Sequence, residues 1–175
     1  MKINWQRIVL ILGIVAANIV IDQGAKQWAR EQLMGLGQLS YLGDFFRLVY
    51  VENKGAFLSL GAGLSGTLRF IALNVLPAGL LLGLVAYTLF SKQLSKLQII
   101  AFSFICGGGV SNIFDRLLYG QVVDFMNVGL AGLRTGIFNF ADLSIMIGLA
   151  IMLPQLFRKK DPEPREPEKM EKASE

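Results

Sequence analysis

The 175-residue chain contains no histidine and a single cysteine, Cys106. A lone cysteine cannot form a disulfide within the chain, and zinc sites built from histidine and cysteine clusters are excluded. Serine–histidine and cysteine–histidine nucleophilic mechanisms are excluded as well, because both need an imidazole base. If the chain is an enzyme, its acid and base groups must come from aspartate, glutamate, lysine or tyrosine. Cys106 lies inside an apolar run and is interpreted as a packing residue.

Charge is also scarce, since 17% of the residues are charged and 53% are hydrophobic. The mean hydropathy is +0.50. The apolar residues fall in long unbroken runs, which are typical of membrane spans rather than of a soluble core. The net charge of +4 does not indicate a nucleic-acid partner, because no basic stripe with interleaved aromatic residues accompanies it.

Four apolar runs are predicted to cross a bilayer. The first could be the apolar part of a cleaved signal peptide, but three more runs follow it, so we interpret it as a retained helix. Pro77 should kink the second run because it removes a backbone donor. The predicted spans are Trp5–Lys26, Leu68–Phe90, Leu97–Phe114 and Phe138–Phe157.

Two stretches between the spans have a different composition. Phe46–Glu52 is rich in aromatic and β-branched residues and is predicted to be a strand. Asn53–Gly55 supplies turn residues, and Ala56–Leu60 is a candidate second strand. Tyr119–Ile137 is interpreted as a second extramembrane segment. The predicted fold is therefore an all-α membrane bundle of four transmembrane helices with a small extracytoplasmic β element.

The basic residues predict the topology. In the four-span arrangement one side carries Lys2, Arg7, Lys92, Lys96 and Arg158–Lys160. The positive-inside rule makes that side cytoplasmic, together with both termini. Residues 1–157 are predicted to form one membrane domain. Residues 158–175 hold six acidic and six basic residues and are expected to be a disordered tail.

Two aspartates stand beside strongly apolar sequence. Asp124 is flanked by Val122, Val123, Phe125 and Met126, and Asp142 opens the fourth span. An isolated carboxylate in such surroundings is costly unless it is paired or protonated. Two carboxylates brought close together tend to share one proton, so that one is a base while the other is an acid. That arrangement suits water-mediated peptide hydrolysis. The competing interpretation of Asp142 is a helix N-cap.

Other polar residues cluster on the same predicted side. Asp22 is predicted to end the first helix and to form an ion pair with Lys26, four residues later. Of Asp115 and Arg116, one is expected to tie loops together, and Arg116 is a candidate ligand for a substrate carbonyl or a phosphate-like group. Three asparagines remain open between turn or packing roles and hydrogen bonds to an extended peptide: Asn53, Asn112 and Asn139.

Five short motifs occur in a fixed order along the chain. They are Asp22-Gln23 with Lys26, Asn53-Lys54-Gly55-Ala56-Phe57, Gly108-Gly109 with Asn112 and Asp115-Arg116, Val123-Asp124-Phe125, and Phe138-Asn139 with Ala141-Asp142. With these motifs the chain resembles bacterial lipoprotein signal peptidase, also called signal peptidase II. The resemblance runs from the first span to the fourth and leaves out only the tail.

The resemblance implies an intramembrane aspartic endopeptidase of the bacterial inner membrane with its active site near the outer face. Such enzymes cut diacylglyceryl-modified prolipoproteins before the lipidated cysteine, and globomycin inhibits them. The catalytic pair falls on Asp124 and Asp142. Substrate-binding positions fall on Asp22, Asn53, Asn112, Arg116 and Asn139, and structural ones on Lys26, Gly55, Gly108 and Asp115. No metal or cofactor is expected. The expected partners are the prolipoprotein and membrane lipid, and the chain is expected to act as a monomer.

Two departures from the family pattern and two rival functions accompany this prediction. Ser111 stands where a glycine is common, and a single alanine follows Gly55 where two are common. A transporter or channel subunit would use the carboxylates as ion or proton ligands. An envelope lipid or acyl transferase would place Arg116 on a head group, although it would usually want a clearer base. The polar residues cluster on one side, which favours the peptidase over the transporter.

Overall fold

The computed structural model describes residues 4–55, 61, 63–130 and 132–157. In chain order its elements are helix α1 (Trp5–Gln32), strands β1 (Gln38–Tyr41) and β2 (Phe46–Asn53), helices α2 (Gly66–Phe90) and α3 (Lys96–Tyr119), strands β3 (Val122–Leu130) and β4 (Leu133–Arg134), and helix α4 (Phe140–Leu156). The candidate strand Ala56–Leu60 and the predicted tail 158–175 lie outside the described residues.

The four helices confirm the predicted helical bundle. Helices α1, α2 and α3 are long and apolar enough to cross a membrane. Helix α4 has 17 residues and is roughly 25 Å long, at the lower limit for a span. Large apolar side chains are exposed on the outer faces of the helices, among them Val9, Leu12, Leu80, Leu82, Met146 and Leu149. Such surfaces suit contact with lipid rather than water.

Helix α1 is longer than the apolar run that predicted it. It continues to Gln32, so the prediction that it ends near Lys26 was wrong. Its 28 residues extend roughly 42 Å, more than the hydrocarbon thickness of a bilayer. Beyond Lys26, Ala29 and Leu33 pack into a buried cluster with Val123 and Phe125 of β3. Helix α1 therefore continues because its last turns support the sheet.

Helix α2 is irregular close to Pro77, as the sequence predicted. An α-helical turn, Gly66–Phe70, is followed by a π-helical turn, Ile71–Val75, and then by the α-helical segment Leu76–Phe90. Pro77 is the second residue of that last segment. Because proline lacks an N–H and its ring crowds the carbonyl four residues earlier, the regular hydrogen-bond ladder is interrupted on its N-terminal side.

The β element is a four-stranded antiparallel sheet in the order β1–β2–β3–β4. Strand β2 confirms the prediction at Phe46–Glu52. Strand β3 was not predicted, because the segment Tyr119–Ile137 was interpreted only as a second extramembrane segment. A register shift between Leu48 and Val51 bends the β2–β3 ladder, and Val51 then stands opposite Asp124.

Helices α3 and α4 cross at very short range. A Cβ added to Gly108 would lie 2.2 Å from the Ala141 carbonyl oxygen, and one added to Gly148 would lie 2.5 Å from that of Ala101. Only glycine allows such an approach of two backbones. The crossing at Gly108 places the face of α3 that carries Asn112 against the first turn of α4.

Candidate active site

A short backbone bridge brings the two predicted aspartates together. Asp124 lies on β3 and is 4% exposed. The N–H groups of Phe125 and Met126 donate to the Phe138 carbonyl at 3.1 and 2.9 Å, and Phe138 N–H donates to the Met126 carbonyl at 2.8 Å. This bridge fixes the chain just before α4 against β3. Helix α4 therefore begins next to the strand that carries Asp124, and Asp142 lies in its first turn.

Asn139 joins the two carboxylates directly. Its side-chain Nδ2 donates to Asp124 Oδ1 at 2.7 Å, and its backbone N–H donates to Asp142 Oδ2 at 3.2 Å. In return its Oδ1 accepts the Asp142 backbone N–H at 2.9 Å. The last two bonds form a capping box at the start of α4. Asn139 is thus the N-cap, and the interpretation of Asp142 as the N-cap was wrong by three residues.

Two further asparagines donate to the remaining carboxylate oxygens. Asn112 Nδ2 donates to Asp142 Oδ1, and Asn53 Nδ2 donates to Asp124 Oδ2, both at 2.9 Å. Asn112 Oδ1 accepts from Asn139 Nδ2 at 3.2 Å. Asn53 Oδ1 accepts the Gly55 N–H at 2.9 Å, which is also a turn interaction. All three predicted asparagines therefore contact the aspartate pair or each other.

Burial changes the acid strength of Asp124. Desolvation in the apolar surroundings of β3 raises the pKa of this carboxyl to about 6, and the nearby charge of Asp142 acts in the same direction. The hydrogen bonds from Asn53 and Asn139 and the charge of Lys26 oppose the increase. Asp124 can therefore hold a proton at a pH at which an ordinary aspartate has lost it.

A second group of charged residues, two aspartates and a lysine, lies between helices α1 and α3. Asp22, Lys26 and Asp115 are fully buried, and Lys26 Nζ lies 2.6 Å from Asp22 Oδ2 and 2.6 Å from Asp115 Oδ2. We call these three residues the ion-pair cluster. The predicted Asp22–Lys26 pair is confirmed, but Asp22 lies inside α1 and not at its end. Asp115 ties α3 to α1, so of the two residues Asp115 and Arg116 it is not the one that ties loops together.

Hydrogen bonds complete the ion-pair cluster and connect it to α4. Ser111 Oγ donates to Asp22 Oδ2 at 2.7 Å, and Gln23 Nε2 donates to Asp115 Oδ1 at 2.9 Å. Asp22 Oδ1 accepts the Ala141 N–H at 2.8 Å. Gln23 and Ser111 were not among the predicted site residues, and Ser111 was expected only as a departure from the family pattern. Their proximity depends on how α1 packs against α3, which no local motif reveals.

Arg116 lies at the edge of the site. Its Nη2 donates to the Gly55 carbonyl at 3.0 Å, and its Nη1 donates to the Asn112 carbonyl at 3.3 Å. Its buried Nε has no partner among the described residues. A cavity of about 160 Å³ lies beside it, with Lys54, Arg69 and Asn74 also in its lining. Arg116 thus holds the turn after β2 and borders a cavity between that turn and the start of α2.

Helices long and apolar enough to cross a membrane, together with a strand aspartate and a helix aspartate held by asparagine side chains, define a membrane-bound peptidase of the aspartic type. The family described as Signal peptidase (SPase) II matches residues 14–158. The chain belongs to this family and is an aspartic peptidase of the signal peptidase II type, which confirms the resemblance.

Related proteins cover almost the whole chain. The lipoprotein signal peptidase of Borrelia hermsii (strain HS1 / DAH) is 33% identical over 159 residues, which are 87% of this chain and 92% of the relative. That of Sulfurihydrogenibium sp. (strain YO3AOP1) is 33% identical over 89% of this chain and 96% of the relative. A bacterial membrane enzyme solved by the in meso method has a TM-score of 0.72 at 25% identity and covers 86% of this chain and 93% of its own.

Proposed function

We propose that this chain removes the signal peptide from diacylglyceryl-modified prolipoproteins by hydrolysing the peptide bond before the lipidated cysteine. Family membership and the names of the relatives support the substrate class. The observation that carries the mechanism is the pair Asp124 and Asp142, bridged by Asn139. The family does not favour the transporter interpretation, and the same carboxylates need no ion to explain their arrangement.

In the proposed mechanism Asp142 is the base and Asp124 is the acid. Asp142 is the third residue of α4 and accepts hydrogen bonds from Asn139 N–H and Asn112 Nδ2. The positive end of the helix dipole and these donors stabilise its ionised form. Asp124 holds its proton to a higher pH because burial raises its pKa to about 6. We therefore assign the base to the aspartate at the start of the helix and the acid to the aspartate buried in the strand.

The reaction then runs in two steps. Asp142 takes a proton from water while the water oxygen attacks the scissile carbonyl carbon, and Asp124 donates its proton to the carbonyl oxygen. The resulting diol carries both oxygens on one tetrahedral carbon. When it collapses, the C–N bond breaks, the proton held by Asp142 passes to the leaving amine, and a diol hydroxyl returns its proton to Asp124. Both carboxyls end in their starting protonation states.

The polar residues around the pair have proposed roles that follow from their contacts. Asn53, Asn112 and Asn139 position the two carboxylates, and Arg116 binds a substrate carbonyl or the lipid-bearing end of the substrate from the edge of the site. Asp22 is fully buried among its partners, so we propose that it positions α4 through Ala141 and does not contact the substrate. Lys26, Asp115, Gly55 and Gly108 are proposed structural residues.

The proposed orientation places the sheet and the aspartate pair on the extracytoplasmic side of the bacterial inner membrane. Helices α1 and α3 both begin at the end of the bundle that carries Arg7, Lys92 and Lys96, which the positive-inside rule places in the cytoplasm with both termini. We further propose that residues 1–157 form one domain followed by a charged tail, that the chain acts as a monomer, and that globomycin inhibits it.

Cleavage by the purified protein in detergent tests the proposal. The substrate is a diacylglyceryl-modified prolipoprotein, with the unmodified precursor as a second substrate. We expect wild type to cut only the modified form, with globomycin blocking the cut. Asp124→Asn and Asp142→Asn should each lose at least about 1000-fold in rate, since each removes one partner of an acid–base pair. Product mass should show cleavage before the modified cysteine.

The matched control is Asp44→Asn. Asp44 is an exposed carboxylate in the turn before β2, and its φ is 72°. Asparagine tolerates that left-handed conformation as well as aspartate does, so this variant should keep its rate within about twofold. Cleavage that survives Asp124→Asn or Asp142→Asn would discard the proposed pair, and no cleavage by folded wild type would discard the function.

A further inference from the structure

A groove of about 1000 Å³ opens at the other end of the bundle from the aspartate pair. It lies between the first turns of α1, the end of α2 and the start of α3. On α1 its residue Arg7 precedes Asp22 by 15 positions, which corresponds to roughly 22 Å along the helix. The groove is therefore separate from the site described above.

The lining of this groove combines apolar walls with positive charge. Six of its eleven lining residues are apolar: Ile8, Leu10, Leu89, Phe90, Leu94 and Ile99. Three others are cations, namely Arg7, Lys92 and Lys96, and the described lining includes no aspartate or glutamate. An uncharged or cationic ligand would leave this charge uncompensated, whereas a small inorganic anion would leave the apolar walls uncovered.

Arg7 has N–H donors in the groove that no described residue accepts. Its Nη1 donates to the Ser91 carbonyl at 2.7 Å, which fixes the guanidinium between α1 and the end of α2. Its Nε and Nη2 are buried and have no partner among the described residues. A buried donor without an acceptor costs free energy that an anionic oxygen would recover. The guanidinium can therefore donate two further hydrogen bonds to a ligand that has an anionic oxygen.

The N-termini of two helices add to the positive electrostatic potential of the groove. Helix α1 begins after its N-cap Asn4, and α3 begins after its N-cap Ser95, next to Lys96. Asn4 and Lys96 both line the groove. The unpaired N–H groups and the positive dipole end of each helix favour a negative charge nearby.

We propose that this groove binds one anionic phospholipid. Its phosphodiester would meet Arg7, Lys92 and Lys96, and an acyl chain would cover the apolar wall. The helices that form the groove are long enough to span a membrane, so their ends lie at the depth of lipid head groups. One bound lipid would join the start of α1 to the end of α2 and the start of α3, which the short loop 91–95 already connects. This inference does not depend on the substrate of the peptidase site.

Lipid binding to the full-length protein in a nonionic detergent tests the inference. Phosphatidylglycerol should raise the thermal midpoint of unfolding and remain bound one to one in native mass spectrometry. Phosphatidylcholine with the same chains, and glycerol 3-phosphate at the same concentration, should do neither. The variant Lys92→Gln with Lys96→Gln should bind phosphatidylglycerol about 25-fold more weakly, roughly fivefold for each lysine.

Two further variants keep the result interpretable. Arg7→Gln should weaken binding too, and the double lysine variant gives the answer if loss of the Ser91 contact disturbs folding. Arg30→Gln is the control, because it removes a cation at the far end of α1, where Arg30 lies over the Tyr119 ring. It should bind lipid as wild type does. Equal binding of phosphatidylcholine, a shift with glycerol 3-phosphate alone, or an equal loss in Arg30→Gln would overturn the proposal.

Discussion

Two pairs of aspartates lie in the same part of the molecule, and different groups hold them. Asp22 and Asp115 share a lysine, whose Nζ lies 2.6 Å from each of them. Asp124 and Asp142 share an asparagine, which donates to one through its side chain and to the other through its backbone. The first pair is held by a formal charge, and the second is held by neutral amides.

This difference separates a structural role from a chemical one. A lysine between two carboxylates pairs each of them with an opposite charge and holds α1 against α3, which suits a structural role. Amides orient a carboxylate without neutralising it, and two such carboxylates keep their mutual repulsion. In the proposed mechanism one of them retains a proton that it can donate. On that proposal, the identity of the shared partner, and not the number of carboxylates, distinguishes the catalytic pair from the structural one.

The two groups are nevertheless connected. Asn112 Oδ1 accepts both from Lys26 Nζ at 3.0 Å and from Asn139 Nδ2 at 3.2 Å. Asp22 Oδ1 holds the backbone N–H of Ala141, next to Asp142. The ion-pair cluster thus supports the aspartate pair through these contacts. We expect a substitution in the cluster to change the positions of Asp124 and Asp142.

The largest expected effect comes from Lys26→Met. This change keeps the shape of the side chain but leaves two buried carboxylates without a cation, which should cost about 3–5 kcal/mol of stability. Activity should fall with the folded fraction, and the thermal midpoint in detergent measures the loss.

The combined variant Lys26→Met, Asp22→Asn and Asp115→Asn is its control. It removes the charges together and should recover most of the lost stability, because no buried charge remains unpaired. If Lys26→Met alone is as stable as wild type, the ion-pair cluster does not stabilise the fold and its proposed structural role is wrong.

The pH dependence of cleavage sharpens the comparison at the aspartate pair. If Asp124 is the acid, its protonated fraction falls about tenfold per pH unit above its pKa of about 6. The value of kcat/KM should therefore decline on the alkaline side with an apparent midpoint near pH 6, which belongs to the pair as a whole.

A second profile tests the cause. The hydrogen bond from Asn53 lowers the pKa of Asp124, so Asn53→Ala should move the alkaline midpoint to higher pH. A wild-type profile that stays flat to pH 8, or a midpoint that moves down in Asn53→Ala, would contradict the assignment of Asp124 as the acid.

The smallest effect is expected from Ser111→Ala. Asp22 loses one donor but keeps Lys26 and the Ala141 N–H, so the cost should be about 1 kcal/mol with little change in kcat. Ser103→Ala is the matched control, because this buried serine of the same helix donates only to the Ile99 carbonyl one turn earlier, and its loss should be near zero. Equal losses in both variants would show that the bond from Ser111 to Asp22 contributes no more than a serine bond within its own helix.

The helices and the polar residues of the site could be predicted from the sequence, but strand β3 could not. Residues 122–127 of β3 are all buried: Ala29 and Leu33 pack against Val123 and Phe125, and Phe138 pairs with the edge of the strand at Met126. A strand buried on both faces lacks the alternation of polar and apolar residues that marks a strand. The apolar neighbours of Asp124 therefore indicated its burial correctly without showing that it lies in a sheet.

The partners of the buried charges were only partly predictable. The pair Asp22 and Lys26 is four residues apart on one helix, so spacing alone predicts it. Asp115 reaches the same lysine across 89 positions of sequence, through the packing of α3 on α1, and no local pattern contains that contact. By contrast, the N-cap at Asn139 had a signal that was missed, because an asparagine three residues before an acidic residue fits a capping box.

Asp142 has a structural role in the capping box besides its proposed catalytic role, and the first does not require the second. A homologue that had lost its peptidase activity would still need a hydrogen-bond acceptor there to start α4. An aspartate at position 142 is therefore weak evidence that a related sequence encodes a working enzyme. Asp124 caps no helix, and its burial raises its pKa to about 6, so a lineage without the activity would gain by replacing it. If Asp124 is the acid, as proposed, we expect position 124 to separate working enzymes from inactive descendants better than position 142 does.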